Sequence, residues 1–223
     1  MELKFRNKKT NSIQIDNSIL SLQVTDEVLN NFIEDYEPVV IDNTENFFLG
    51  NTVFDEITLF NKYPEMSLVN DAMVFFEMNQ EFFNKKINEL STTEKIFVNL
   101  MRDLSKADSI ILFKNIFKGL DLNYQKKLIK LINYLKINYL IIICSDDVNT
   151  LYKLSDYSIV ANEKHFSFDE TDKIYSNVPM LLKNKYDVPD LSYITYKAKE
   201  EKNVKLFYSK DVRDIIKDIY KHV

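Results

Sequence analysis

His165, His222 and Cys144 are the side chains best suited to bind a transition metal or to act near neutral pH, and their spacing supports neither role. They lie too far apart to form the short-range ligand pairs of a zinc site. Phosphate chemistry needs a different pattern, Gly-x4-Gly-Lys-Ser/Thr, in which bare glycine N–H groups approach the phosphates. The chain has two glycines, Gly50 and Gly119, and no Gly-Lys-Ser/Thr. A loop of that kind is therefore absent. Neither a metal nor a cofactor is expected.

The elements that must position any site are legible from apolar spacing. "LKF" and "SIQI" alternate as short strands around the polar turn "RNKKTN". "SILSLQV" (residues 18–24) and "PVVID" (residues 38–42) read as further strands. Between them "TDEVLNNFIEDY" reads as a helix, with Thr25 as its cap and Asp26 and Glu27 in its first turn. Residues 54–88 form a small helical region. Phe97, Leu100, Met101 and Leu104 recur at helical spacing. Residues 110–113, 140–144 and 158–161 are apolar strands, and a helix capped by Asn123 runs to about Leu135 between the first two. Buried strands alternating with helices imply α/β architecture with a parallel sheet. Two helical stretches, near residues 190–200 and 210–222, end the chain. Cys144 is expected in the core and His165 on the surface.

Composition narrows the function. The net charge is −5, which argues against a binder driven by nucleic-acid phosphates. A single cysteine excludes an internal disulfide and suits a reducing compartment. No apolar run approaches the ~18 residues of a membrane span, and the charged start "MELKFRNKK" predicts no secretion signal. A cytoplasmic protein is expected, peripheral to the membrane at most.

Several segments, in order, resemble the ATPase subunit of energy-coupling factor (ECF) transporters, a branch of the ABC ATPases. "FFLGNTVFDEI" (residues 47–57) is similar to the family's segment after the Q-loop. "LSTTEK" (residues 90–95) sits at the signature, and "SIILFKNIFKGLD" (residues 109–121) at Walker B and the D-loop. "IIICSDDVNTLYKLSDYSIV" (residues 141–160) matches the switch strand and its helix. Residues 174–201 and 206–223 resemble the family's C-terminal region. The resemblance implies a P-loop NTPase-like ABC ATPase fold: a mostly parallel sheet with flanking helices, a reduced helical subdomain, and a C-terminal helical extension. It divides the chain into a core of residues 1–54 and 92–168, a helical subdomain of residues 55–91, and a C-terminal region of residues 169–223.

The resemblance also implies what each ATP-site position has become. The turn "VTDE" stands where the P-loop would lie, and Asp26 and Glu27 occupy a helix end that would otherwise favour phosphate. Asp42 replaces the Q-loop glutamine. Ser91 keeps the signature serine, but Thr92 and Thr93 replace its glycines and hinder close backbone approach. Lys114 stands at the magnesium-binding aspartate and Asn115 at the catalytic glutamate. An ammonium offers only donors, magnesium requires oxygen ligands, and an amide is no base at neutral pH. Ile116 and Phe117 follow. Asp121 keeps the D-loop aspartate, and Asp146 replaces the switch histidine.

In the family's strand order Lys114 would lie between Asp42 and Asp146. An ion pair is therefore expected from Lys114 to Asp42, to Asp146, or to Asp26 and Glu27. Phe48, Gly50 and Val53, within residues 46–60, lie where the family docks membrane subunits. The expected function is that of a catalytically inactive ABC/ECF-type ATPase homologue, structural or regulatory, partnered by an ECF-type ATPase or a membrane scaffold subunit, or by a second copy. The alternatives are a soluble self-associating module without a transporter, and a nucleotide binder with rearranged contacts. Residues 200–223, with Val212, Ile215, Ile216 and Ile219 on one stripe, are expected in an oligomer contact.

Overall fold

The computed structural model describes residues 1–42, 44, 47–59, 61, 63–115 and 117–221. Asn46, Phe60, Ile116, His222 and Val223, which fall within segments read above, lie outside the described residues. The chain forms two compact units: Met1–Ile15, Ile19–Glu34 and Ser145–Val223 in one, and Asp16–Ser18 and Asp35–Cys144 in the other.

In the second unit, β4 (Val39–Asp42), β5 (Ile110–Lys114) and β6 (Leu140–Cys144) pair in parallel with β5 in the middle. Ile111, Leu112, Ile141, Ile142 and Ile143 are fully buried. Strands covered on both faces need apolar side chains at every position, which is why they read as continuous runs rather than alternating ones. The chain between β4 and β5 forms α2 (Val53–Thr58), α3 (Met66–Phe75), 3-10 turns at Gln80–Asn84 and Ile87–Glu89, and α4 (Thr92–Leu104). Helix α4 packs against β4, α2 and α3. Helix α5 (Leu122–Leu135) carries the chain from β5 to β6 and buries Leu128, Leu131, Ile132 and Leu135 on one stripe.

The start of α5 corrects one expectation. Its cap is Asp121, not Asn123: Asp121 Oδ1 accepts from Asn123 N at 2.9 Å and Tyr124 N at 3.0 Å. A carboxylate satisfying two free N–H groups at a helix's positive end is the stronger cap. Gly119 makes the preceding turn at φ +79°, where a Cβ would meet Ile96 Cδ1 at 2.6 Å.

In the first unit, β1 (Glu2–Arg6) and β2 (Thr10–Gln14) form the antiparallel hairpin, with Leu3 opposite Ile13. Strand β3 (Ile19–Val24) pairs in parallel with β7 (Tyr157–Ala161), and β8 (Phe166–Glu170) runs antiparallel to β7. The helices are α1 (Asp26–Tyr36, of which Asp26–Glu34 belong to this unit), α6 (Val148–Leu154), α7 (Thr171–Ser176), α8 (Val178–Lys183), α9 (Asp190–Lys202) and α10 (Val212–Ile219). Ser21 and Ser158 share a hydrogen bond at 2.7 Å inside this unit, and Thr171 bonds Ser155 and Ser158 at 2.9 Å each. These buried hydroxyls satisfy one another, as burial requires.

Two placements differ from expectation. His165 is half-buried, not exposed, because its ring lies against Tyr186, with Nδ1 3.1 Å from the phenol oxygen. Cys144 is half-buried rather than in the core, because it ends β6 at the strand's open end.

Candidate functional site

The register of β4 on β5 places Asp42 directly opposite Lys114. Lys114 Nζ lies 3.6 Å from Asp42 Oδ2. The other carboxylate oxygen accepts from Thr44 N at 2.9 Å and Thr44 Oγ1 at 2.7 Å, with Asn115 Nδ2 at 3.5 Å. Burial of Asp42 pushes its pKa upward. The hydrogen bonds from Thr44 and Asn115 and the Lys114 charge outweigh that push, so the carboxyl titrates below its ordinary value. Asn115 takes a left-handed conformation, φ +50°, which asparagine tolerates better than most residues. Its N–H donates to Cys144 O at 3.1 Å, and its carbonyl accepts from Lys118 N at 2.9 Å. The ends of these strands thus bring the Lys114 ammonium and the Asn115 amide each against the Asp42 carboxylate. Among the described residues no cluster of three or more His, Cys, Asp or Glu could hold a metal.

The turn from β3 to α1 is equally closed. Val24 ends the strand, Asp26 begins the helix, and Thr25 alone joins them. Thr25 O accepts the first helical bond, from Leu29 N at 3.0 Å. Asp26 and Glu27 stand exposed in the first turn. A one-residue link has no length to wrap a phosphate, which requires several successive N–H groups pointing inward.

Ser91 caps α4. Its Oγ accepts from Glu94 N at 3.2 Å, and Glu94 Oε2 accepts in return from Ser91 N at 2.9 Å and from Ser91 Oγ at 2.8 Å. This capping box satisfies two helix-end donors. Lys85 Nζ lies 2.7 Å from Glu94 Oε1. Hydrogen bonds from Lys85, and from Ser91 after it, hold the Glu94 carboxyl below its usual range. Thr92 and Thr93 form the first turn of the helix.

Asp42, Lys114 and Asn115 therefore come together at the ends of neighbouring strands. Ser91, Thr92 and Thr93 lie at a helix start, Asp121 caps α5, and Asp146 is exposed ahead of α6, whose cap is Asp147. Of the docking residues, Phe48 and Gly50 are half-buried, whereas Val53 is fully buried and belongs to the core.

One constellation escaped the sequence reading. Glu56 is fully buried. Its Oε2 accepts from Leu49 N at 2.8 Å and Gly50 N at 2.7 Å, while Oε1 accepts from Arg102 Nη1 at 3.0 Å. Arg102 Nη1 also donates to Phe47 O at 3.0 Å, and Nε donates to Asp103 Oδ1 at 3.2 Å. Burial favours the neutral guanidine, but Asp103 and Glu56 outweigh it and hold the charge. A signal existed: Arg102 and Asp103 interrupt the otherwise apolar run Leu100–Leu104, an invitation to look for a buried partner.

Solved structures from ABC transporters share this architecture. One is cbiO1 from Clostridium perfringens, part of the ABC transporter complex cbiONQ. It matches with a TM-score of 0.60 at 13% identity over 84% of this chain and 91% of that one. An ABC transporter described as of the metal-chelate type, in an inward-facing conformation, gives 0.61 at 14% identity over 81% and 88%. A bacterial Atm1-family ABC exporter with ATP bound gives 0.57 at 13% identity over 80% of this chain and 39% of that one. The chain has the α/β, P-loop NTPase-like fold of the ABC ATPases. At these identities the likeness establishes the fold alone. No family model matches the sequence, and no curated protein sequence matches it.

Proposed function

We propose that this chain is a catalytically inactive ABC ATPase homologue of the ECF type, working as a structural or regulatory subunit. Its partner is an ECF-type ATPase or a membrane scaffold subunit at the cytoplasmic face. The core would comprise residues 1–54 and 92–168, with residues 55–91 as a reduced helical subdomain and 169–223 as the C-terminal region.

The observation that carries this reading is the Lys114–Asp42 pair at 3.6 Å. In the resembling family, the Lys114 position belongs to the metal-binding aspartate. A lysine held there by the chain's own carboxylate favours neither magnesium nor triphosphate: at ~4 Å and an effective dielectric near 20, like unit charges cost about 4 kcal/mol. The one-residue link before α1 supports the same conclusion independently. Without phosphate cradle, metal ligand and base, phosphoryl transfer has no mechanism. Among the described residues no helix is long and apolar enough to cross a membrane, so membrane attachment through a partner fits.

The test is co-expression with an ECF scaffold subunit, with and without an active ECF ATPase. Stable co-isolation is expected, and its absence from both combinations would overturn the partner assignment. A second reading, a self-associating module, draws on α10, where Val212, Ile216 and Ile219 remain exposed and only Ile215 of that stripe is buried.

A further inference from the structure

The C-terminal part of the first unit holds a cavity of about 800 Å³ between α6, the start of α9 and the turn into α10. Tyr152, Leu191 and Val212 give it apolar walls, and Asn149, Lys153 and Lys210 are among its polar ones. An apolar lining of this size with a few polar groups is the usual composition of a small-molecule site. We infer that the cavity binds a small organic acid, with its anionic head at the start of α9 and its apolar body against Tyr152, Leu191 and Val212. The inference is independent of the subunit role above, and none of the ATP-site positions lines the cavity.

Two buried hydroxyls lack partners at this place. Tyr152 is 3% exposed and Ser192, in the first turn of α9, is 1% exposed. The two side chains are neighbours, yet neither Tyr152 Oη nor Ser192 Oγ completes a hydrogen bond. An unpaired buried hydroxyl is costly and calls for a reason. Burial raises the Tyr152 pKa to about 12, so the phenol is a hydrogen-bond donor at neutral pH.

The start of α9 supplies further donors. Pro189 stands at its cap position and offers no side-chain acceptor. Asp190 N donates to Asn149 Oδ1 at 2.9 Å, and Asn149 Nδ2 donates back to Asp190 Oδ2 at 3.1 Å. Tyr193 N makes the first helical bond, to Pro189 O at 2.9 Å. Leu191 and Ser192 lie between these two, in the turn where free N–H groups and the helix dipole favour an anion. The helix has 13 residues, long enough for that dipole to develop.

Charge selects the same kind of ligand. The acids of the wall are already bonded. Asp211 caps α10 and holds Arg213 Nη2 at 2.6 Å, Asp214 lies 3.3 Å from Lys217 Nζ, and Asp190 is held by Asn149. Lys210 is engaged too: it donates to Ser155 O at 2.9 Å and stands 5.6 Å from the centre of the Tyr152 ring. Lys153 is exposed and has no ion pair among the described residues. The lining side chains left without a partner are therefore donors, the Lys153 ammonium and the Tyr152 phenol. Both stand on α6, the helix that Asn149 ties to the start of α9. A carboxylate accepts from each of them.

The experiment is isothermal titration of the full chain with two apolar acids, phenylacetate and hexanoate. Phenethyl alcohol and phenethylamine replace the acid head, and acetate removes the apolar body. At least one of the two larger acids should bind about 10-fold more tightly than acetate, the alcohol or the amine. Lys153→Gln should weaken that acid about 5-fold or more. Tyr152→Phe should weaken it as well, without lowering Tm, because the hydroxyl it removes has no partner. Lys130→Gln, which removes an exposed cation on α5, should leave binding unchanged. The bound acid should slow hydrogen exchange at the Leu191 and Ser192 amides. Should Tyr152→Phe fail to fold, Lys153→Gln decides. No saturable binding of either larger acid at ~10 mM, equal binding of acid, alcohol and amine, or an affinity indifferent to Lys153→Gln would overturn the proposal. So would acetate binding as tightly as the larger acids, since the apolar walls would then contribute nothing.

Discussion

Lys114 and Asp42 stand opposite each other across two parallel strands, their charged atoms 3.6 Å apart. The lysine side chain is 34% exposed and the aspartate 12%, so the pair is partly solvated. Lys114→Ala should cost about 1 kcal/mol or less from the lost pair, with any excess coming from an aspartate left half-buried. Urea unfolding at neutral pH reads this directly.

The same pair predicts an acid dependence. Asp42 titrates below its ordinary value of 3.8 in the folded chain. Its contribution is therefore present above pH 3.8 and is lost as the pH falls through the lower folded value. Asp42→Asn should lower stability at pH 6 and shrink the difference from wild type at pH 2–3. A gap that stays constant across that range would contradict the assignment.

His165 gives a second pH signal. Burial lowers its pKa from the ordinary 6.5, so the folded state resists protonation. Stability is complete above pH 6.5 and falls as pH drops through the folded value. His165→Gln should flatten the Tm profile between pH 7.5 and 5. An unchanged slope would assign the titration elsewhere.

Arg102→Ala leaves Glu56 buried without its cation and should cost about 3–5 kcal/mol. Gly50→Ala forces a Cβ against Glu56 N at 2.5 Å and should cost about 1–3 kcal/mol. Thermal melts of both variants check these values. A change within ~0.5 kcal/mol, typical of plain surface positions, would remove the role given to this network.

The parallel strands were readable because β5 and β6 are buried on both faces and carry unbroken apolar runs. Helix α4 was readable because Phe97, Leu100, Met101 and Leu104 recur at helical spacing. Strand β8 was not: Phe-Ser-Phe-Asp alternates over only four residues, and the structure leaves Phe166–Asp169 half-buried, without an inward and an outward face. Helices α7 and α8 have six residues each, too few to establish a 3.6-residue period. The Lys114–Asp42 contact followed from strand order supplied by the family resemblance. Arg102 and Asp103 inside an apolar run signalled a buried partner, but Glu56 lies 46 positions away, and nothing local identifies it as that partner.

Isothermal titration of the chain with Mg-ATP tests the central claim most directly. A flat titration at physiological nucleotide concentration is predicted, because in the proposed reading a single residue, Thr25, stands where the phosphate loop would lie and Lys114 stands at the metal-ligand position. Saturable micromolar binding that disappears in Lys114→Ala would contradict it, making Lys114 a phosphate ligand and the chain a nucleotide binder with rearranged contacts.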